Sequence, residues 1–313
     1  MTSPVSVVVC TRDRPGLLRE CLASLKALRP AADEVLVIDN GSRDGATVTV
    51  AAEAGFELLR EGRVGLNRAR NLGWRSARHD VVAYVDDDVL VTETWVQQLK
   101  RAFRDPQISA VTGLVQPLKV ETEAQRVFQR YGGGMGRGPF SRDFQRQSMT
   151  WHELIEVLRA GVGANMAIRR AVLAELGGFD PALDVGTPAH GGGDLDLFHR
   201  LLVGGWRLRY EPEVRVFHRD REDMAALRRQ LYDNGRSFGV YLLKIWRERT
   251  APRTALAGYM ARRAAWLVGR VGKRVLGTNP LPMPLLLAEL RGSLDAPAAY
   301  AATYGRGARR SVA

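Results

Sequence analysis

The 313-residue chain is poor in cysteine, with Cys10 and Cys21 alone. Two cysteines give no disulfide framework and no metal-binding spacing, which excludes a disulfide-stapled scaffold. Cys10 belongs to an apolar run and Cys21 to a helical pattern, so both read as small core residues. A reducing, cytoplasmic compartment is the simplest expectation. Long apolar runs are also missing: none approaches the ~18 uninterrupted residues that suggest a membrane span. The opening stretch, MTSPVSVVVCTRDRP, is expected not to act as a signal peptide. Its apolar part is short and β-branched, with no basic segment before it. The glycine-rich residues 132–138 lack the Lys-Ser/Thr ending of a phosphate-binding P-loop. They read as a mobile loop near a site or as a surface loop. No nucleic-acid recognition motif accompanies the basic charge, so no nucleic-acid partner is expected. There is no internal repeat.

What is present is ordinary in amount and uneven in placement. Hydrophobic content of 45% and charged content of 26% suit a globular protein. The length allows one large α/β domain with an appendage, or two domains. The net charge is +12, yet the first 218 residues carry 28 Lys+Arg against 27 Asp+Glu. Residues 219–313 carry 18 against 7, so the surplus lies almost wholly there. Such a surplus fits an anionic membrane surface, an anionic acceptor, another protein, or simply a solvated arginine-rich face.

Short apolar runs rich in β-branched residues at 5–9, 35–38 and 81–85, and a further short strand at 56–59, alternate with helical spacing at 17–28, 47–54 and 65–77. This β-loop-α alternation predicts a parallel sheet with helices on both faces. Polar residues follow the strands: Thr11 and Asp13, then Asp39, then Asp86-Asp87-Asp88. In such a sheet these strand ends share one edge, where ligands of open α/β folds bind. Adjacent carboxylates repel at a buried strand end, and a hard divalent cation resolves the conflict. A solvated, Asp-rich turn is the plainer alternative.

Further on, residues 94–103 read as a helix and 161–170 as a strand leading into a helix. Gly191-Gly192-Gly193-Asp194-Leu195-Asp196 opens another helix, where acids are favoured by the helix dipole alone. Residues 214–217 read as a strand ending in His218. Helices are expected at 227–246 and 255–275, the second basic and amphipathic. It either lies on a membrane or packs on the rest of the chain. Residues 280–284 form a proline-rich connector before a last short helix, and the tail from Tyr304 looks frayed.

Six motifs then stand in a familiar order: Val-Val-Val-Cys-Thr-Arg-Asp-Arg-Pro at 7–15, Val-Ile-Asp-Asn-Gly-Ser at 37–42, Gly-Leu-Asn-Arg-Ala-Arg-Asn-Leu-Gly at 65–73, Asp-Asp-Asp-Val at 86–89, Gly-Ala-Asn-Met-Ala at 163–167 and Gly-Gly-Asp-Leu-Asp-Leu at 192–197. Together they resemble family 2 glycosyltransferases, over about residues 5–218. The resemblance implies an α/β GT-A fold, with a Rossmann-like nucleotide-binding sheet and a mixed acceptor-side sheet, plus a helical C-terminal region. It implies a catalytic domain over 1–218 (donor half about 1–120, acceptor half about 121–218) and a basic, mainly helical region over 219–313.

The resemblance also implies roles. Thr11 and Arg12 belong to the first nucleotide-binding loop, Asp39 reads a nucleobase edge, typically uracil, and Arg70 reaches a phosphate or the base. Asn67 and Asn71 shape their turn. Asp86 and Asp87 serve the ribose and water shell. Asp88 and His218 hold Mn²⁺ or Mg²⁺, although a lone histidine is more often structural. Asp194 is the catalytic base; Asp196 is the alternative base, or else an acid that caps the helix or supports the site from behind. The family usually has Glu-Asp where this chain has Gly193-Asp194, which leaves the acceptor class open. The implied reaction is inverting, metal-dependent transfer from a UDP- or other NDP-sugar to an acceptor hydroxyl. The acceptor is a glycan, a lipid-linked molecule or a small natural product. Peripheral contact with the cytoplasmic face of a membrane, through the basic helices, is a further expectation. A nucleotidyltransferase and an inactive nucleotide-sugar or membrane-surface binding module are the competing readings.

Overall fold

The computed structural model describes residues 3–131 and 134–305. Gly132 and Gly133 of the expected mobile loop, and the tail beyond Gly305, lie outside the described residues.

The first part alternates strand and helix as the hydrophobic pattern predicts. Its elements are β1 (Val5–Thr11), α1 (Pro15–Lys26), β2 (Glu34–Asp39), α2 (Ala46–Ala54), β3 (Glu57–Arg60), α3 (Leu66–Ser76) and β4 (Val81–Asp86). β1 and β2 are buried along their whole length, which is why they read as continuous apolar runs rather than alternating ones. Next come β5 (Val89–Val91), α4 (Trp95–Ala102), β6 (Ile108–Pro117), α5 (Glu123–Arg130), β7 (Arg142–Phe144), α6 (Trp151–Ile155), β8 (Asn165–Arg169), α7 (Arg170–Glu175), α8 (Gly193–Val203) and β9 (Arg207–His218). Three long helices follow: α9 (Met224–Glu248), α10 (Arg253–Val275) and α11 (Met283–Tyr304). β5, β6 and β7 go beyond the elements expected from sequence. The last helix is not short: it runs 22 residues and carries Pro297 within it.

One sheet holds the strands in the order β3-β2-β1-β4-β8-β6-β9-β5, with β7 also on β9. β3, β2, β1 and β4 are parallel. β8 is antiparallel to both β4 and β6. The chain leaves β1 for β2 on one side and returns as β4 on the other, creating the topological switch point where α/β sheets bind ligands. Register does the rest. Thr11 pairs with Asp39, and Cys10 with Asp86, so three strands end level. Antiparallel β5 and β9 set Val89 opposite His218, which brings that histidine beside the aspartate triplet.

Two apolar layers sandwich the sheet. One joins Val7, Val9 and Val85 to Leu18, Leu22, Trp95 and Phe103. The other joins Val8, Ile38 and Tyr84 to Phe198, and continues into Phe238, Tyr241, Ile245 and Leu256 of the C-terminal helices. At roughly 1.5–3 kcal/mol per buried large apolar side chain, this shared layer binds α9 and the start of α10 to the sheet. α9 and α11 cross at close range: a Cβ on Gly292 would lie 1.9 Å from the Tyr232 carbonyl, and one on Gly235 2.2 Å from that of Glu289. Glycine costs about 1 kcal/mol in a helix interior, and here it permits backbone-to-backbone packing.

Candidate active site

The triplet follows β4, and its three carboxylates face different neighbours. Asp86 Oδ1 lies 3.3 Å from Arg70 Nη2. Its pKa is raised, because burial outweighs the attraction of Arg70. Asp87 is wholly buried and turned inward. It accepts from Thr11 Oγ1 at 2.7 Å and lies 2.7 Å from Arg14 Nη2. Burial pushes its pKa up to about 7, against the pull of Arg14 and the Thr11 bond. This carboxylate therefore braces the loop after β1 instead of opening toward a ligand. Asp88 Oδ2 meets Arg14 Nη1 at 3.1 Å. Its other oxygen, Oδ1, is buried, has no hydrogen bond among the described residues, and lies 3.5 Å from His218 Nε2.

His218 is oriented from behind. Its Nδ1 lies 3.0 Å from Asp220 Oδ1, and Asp220 Oδ2 accepts from Gln129 Nε2 at 2.8 Å. Burial lowers the imidazole pKa, but the Asp220 bond and the Asp88 charge more than offset it, leaving the pKa raised. A carboxylate behind a histidine is the usual support of a metal-binding imidazole, because it fixes the ring and its tautomer.

Whether a cation fits here can be judged from the donors. No cluster of three or more His, Cys, Asp or Glu side chains suited to a metal occurs among the described residues. Two donors do converge: the orphaned Asp88 Oδ1 and His218 Nε2. A buried carboxylate oxygen without a partner is costly. Mg²⁺-type ions commonly take one or two protein ligands and complete their shell with phosphate and water. The residues fit such an ion.

The remaining predicted residues occupy the same edge. Asp39 is buried; its Oδ1 accepts the Ser42 N–H at 3.0 Å, and Oδ2 faces Arg60 at 3.7 Å. Arg12 is largely exposed and lies 3.7 Å from Asp13. Arg70 is buried in α3, with its guanidinium over the Phe179 ring. Burial opposes its charge, while Asp86 and Asp194 raise its pKa. Its Nη2 also donates to the Gly163 carbonyl at 3.4 Å.

Asp194 stands in the first turn of α8, where the helix dipole favours an anion. Its Oδ2 accepts the Gly163 N–H at 2.8 Å, and Oδ1 its neighbour Leu195's N–H at 2.9 Å. Asp196 points elsewhere. It is buried, 2.6 Å from Lys244 Nζ and 2.8 Å from Arg200 Nε. Asn67 and Asn71 clasp the chain before α8: Asn67 donates to the Asp180 and Leu183 carbonyls, and Asn71 exchanges bonds with Phe179. A Cβ at Gly193 would meet the Asn67 amide nitrogen at 2.0 Å. The place of an acid before Asp194 is thus filled by an amide.

Sequence reasoning missed Arg14, Asp220, Asp184, Arg137 and Lys244. Asp184 caps α3, accepting the Leu66 and Asn67 N–H groups at 2.7 Å each. Arg137 is held by the Leu158 and Gly136 carbonyls and feels the Asp194 charge. Only Asp220 had a readable signal, its position two residues after His218.

The family model described as Glycosyl transferase family 2 matches residues 6–177. The chain belongs to that family. Relatives of the chain are named as glycosyltransferases. It is 27% identical over 273 residues to the pre-mycofactocin glycosyltransferase of Mycobacterium tuberculosis, covering 86% of this chain and 53% of that one. The chain thus spans about half the length of the first of its curated relatives. It is 28% identical over 269 residues to the succinoglycan biosynthesis protein ExoM of Rhizobium meliloti, covering 82% and 81%. In fold it is similar to the mannosyltransferase PcManGT of Pyrobaculum calidifontis, solved with GDP-Man and Mn²⁺, at TM-score 0.65 and 17% identity over 95% and 88% of the two chains. It is also similar to glucosyl-3-phosphoglycerate synthase of Mycobacterium tuberculosis, solved with Mn²⁺ and UDP, at TM-score 0.51 and 18% identity over 77% and 79%. The fold is GT-A. No helix among the described residues is long and apolar enough to cross a membrane.

Proposed function

We propose that this glycosyltransferase moves a sugar from a nucleotide-sugar, UDP-linked or carried by another nucleoside diphosphate, to an acceptor hydroxyl with inversion. Arg70 is the observation that carries this reading. One guanidinium lies 3.3 Å from Asp86 of the triplet and 3.4 Å from the carbonyl of Gly163, whose N–H holds Asp194. The donor edge and the candidate base are thereby parts of one site.

In this reading residues 1–218 form the catalytic domain, with donor half about 1–120 and acceptor half about 121–218, and residues 219–313 support it. Asp39 offers Oδ2 to a nucleobase N–H. Thr11, Arg12 and Asp86 line the nucleoside side, and Asp87 acts through Thr11 and Arg14. Asp88 and His218 hold Mn²⁺ or Mg²⁺, which when bound neutralises charge on a diphosphate leaving group. Asp194 takes the proton from the acceptor hydroxyl as that oxygen attacks the anomeric carbon. The Gly163 and Leu195 N–H groups keep its carboxylate in one orientation.

The test is Asp194→Asn, assayed for nucleoside diphosphate release from the sugar donor and for donor binding by heat shift. Release is expected to collapse while donor binding persists. Unchanged release would remove Asp194 from the base role.

A further inference from the structure

We propose that the outward face of α10 docks on the surface of an anionic phospholipid bilayer. This inference is independent of the reaction assigned above.

α10 is 23 residues long, yet only Leu256, Tyr259 and Leu267 are buried. These lie on one face. The opposite face carries Ala257, Ala261, Ala265, Val268, Gly272 and Val275 at helical spacing, all exposed. Val268 is 61% exposed, Val275 73% and the following Leu276 78%. They are among the most exposed large apolar side chains described, and they cluster at one helix end. Alanine and glycine elsewhere keep the stripe low, so a flat surface can approach it along its length.

Charge decides between occupants. α10 contains six cations and no acid. Arg263 and Arg270 are spent on the buried carboxylate of Glu289, which ties α10 to α11. Arg262 and Lys273 are exposed and have no acidic partner among the described residues. On the helix wheel they flank the apolar stripe along one border. Cations beside a shallow apolar strip, on a helix too polar to insert, match a bilayer interface of negative charge. A second copy of this chain fits poorly, because the facing α10 would present the same unpaired cations.

The experiment is vesicle co-sedimentation of the full chain, using phosphatidylcholine vesicles with and without phosphatidylglycerol. The wild type is expected to sediment with the anionic vesicles and to stay in solution with the neutral ones. Arg262→Gln/Lys273→Gln should weaken partitioning about fivefold per cation removed. Val268→Ser/Leu276→Ser should weaken it too, and its deficit should persist at high salt, where charge is screened. Arg101→Gln/Arg104→Gln removes the same charge from exposed positions on and beside α4, and should sediment like wild type. Equal loss in that control would overturn the assignment to α10, as would absence of binding to anionic vesicles. So would a wild-type dimer in light scattering that Val268→Ser/Leu276→Ser converts to monomer. Unchanged melting temperatures across the set establish that each variant is folded.

Discussion

Two carboxylate clusters sit on either side of the start of α8, and they are built on opposite principles. On one side, Asp180 and Asp196 close around Lys244, which lies 2.8 and 2.6 Å from them, with Arg200 completing the set. Lys244 is 5% exposed, and its pKa is raised because the two acids outweigh burial. Tyr304 donates to Asp180 at 2.8 Å, so α11 joins the same knot. On the other side, Asp86, Asp87 and Asp88 share Arg14, Arg70 and His218, and two buried oxygens, Asp87 Oδ1 and Asp88 Oδ1, accept no hydrogen bond among the described residues, the second with only His218 at 3.5 Å. The closed cluster satisfies itself and fastens helices. The open one is incomplete, and incompleteness at a buried carboxylate is what a cation resolves. Acidity alone does not separate structure from chemistry; the difference lies in whether each oxygen already has a partner.

The comparison can be broken most decisively at the base between the clusters. Asp194→Asn should lower turnover by about 10²–10⁴-fold, the usual worth of a positioned general base, with little change in melting temperature. A variant that melts early instead would move Asp194 into the structural cluster. Next in size is Lys244→Met. Removing the cation leaves buried Asp196 with Arg200 alone, and half-buried Asp180 with the Tyr304 hydroxyl but no cation among the described residues, which should destabilise the fold by about 3 kcal/mol in denaturant titration. Loss of activity without loss of stability would mean that the closed cluster serves chemistry after all. Smaller still is Asp220→Asn. It keeps the shape behind His218 but weakens the carboxylate support, and should cost about 10–100-fold in Mn²⁺ affinity by isothermal titration calorimetry. Unaltered affinity would leave His218 as a structural histidine.

These clusters also mark how far the sequence could be read. The open cluster was legible because β-branched runs locate strand ends, and parallel order puts strand ends on one edge. Thr11, Asp39 and Asp86 are each the last residue of a strand, as that rule requires. The direction of each carboxylate was not legible. Asp87 faces inward because Thr11 and Arg14 meet it there, a packing fact that adjacent letters do not carry. The closed cluster was invisible for a related reason, since Lys244 and Asp196 lie on different helices and nothing local pairs them. β6 was hidden by Gly113, which interrupts its apolar run. A Cβ there would sit 1.9 Å from the Val214 carbonyl, so the glycine marks a close approach to β9 and not a loop. The C-terminal helices were correctly expected as helices, yet their packing into the sheet's own apolar layer shows only in three dimensions.

The most direct test of the open cluster is a heat-shift titration of wild type, Asp88→Asn and Asp194→Asn with UDP and other nucleoside diphosphates, with and without Mn²⁺. The account predicts Mn²⁺-dependent stabilisation by a nucleotide in the wild type, amounting to about 2.7 kcal/mol when the ligand stands at ~100 times its Kd. That stabilisation should be retained in Asp194→Asn and lost in Asp88→Asn. Equal stabilisation of all three proteins, or none that depends on Mn²⁺, would contradict the claim that Asp88 and His218 await a cation.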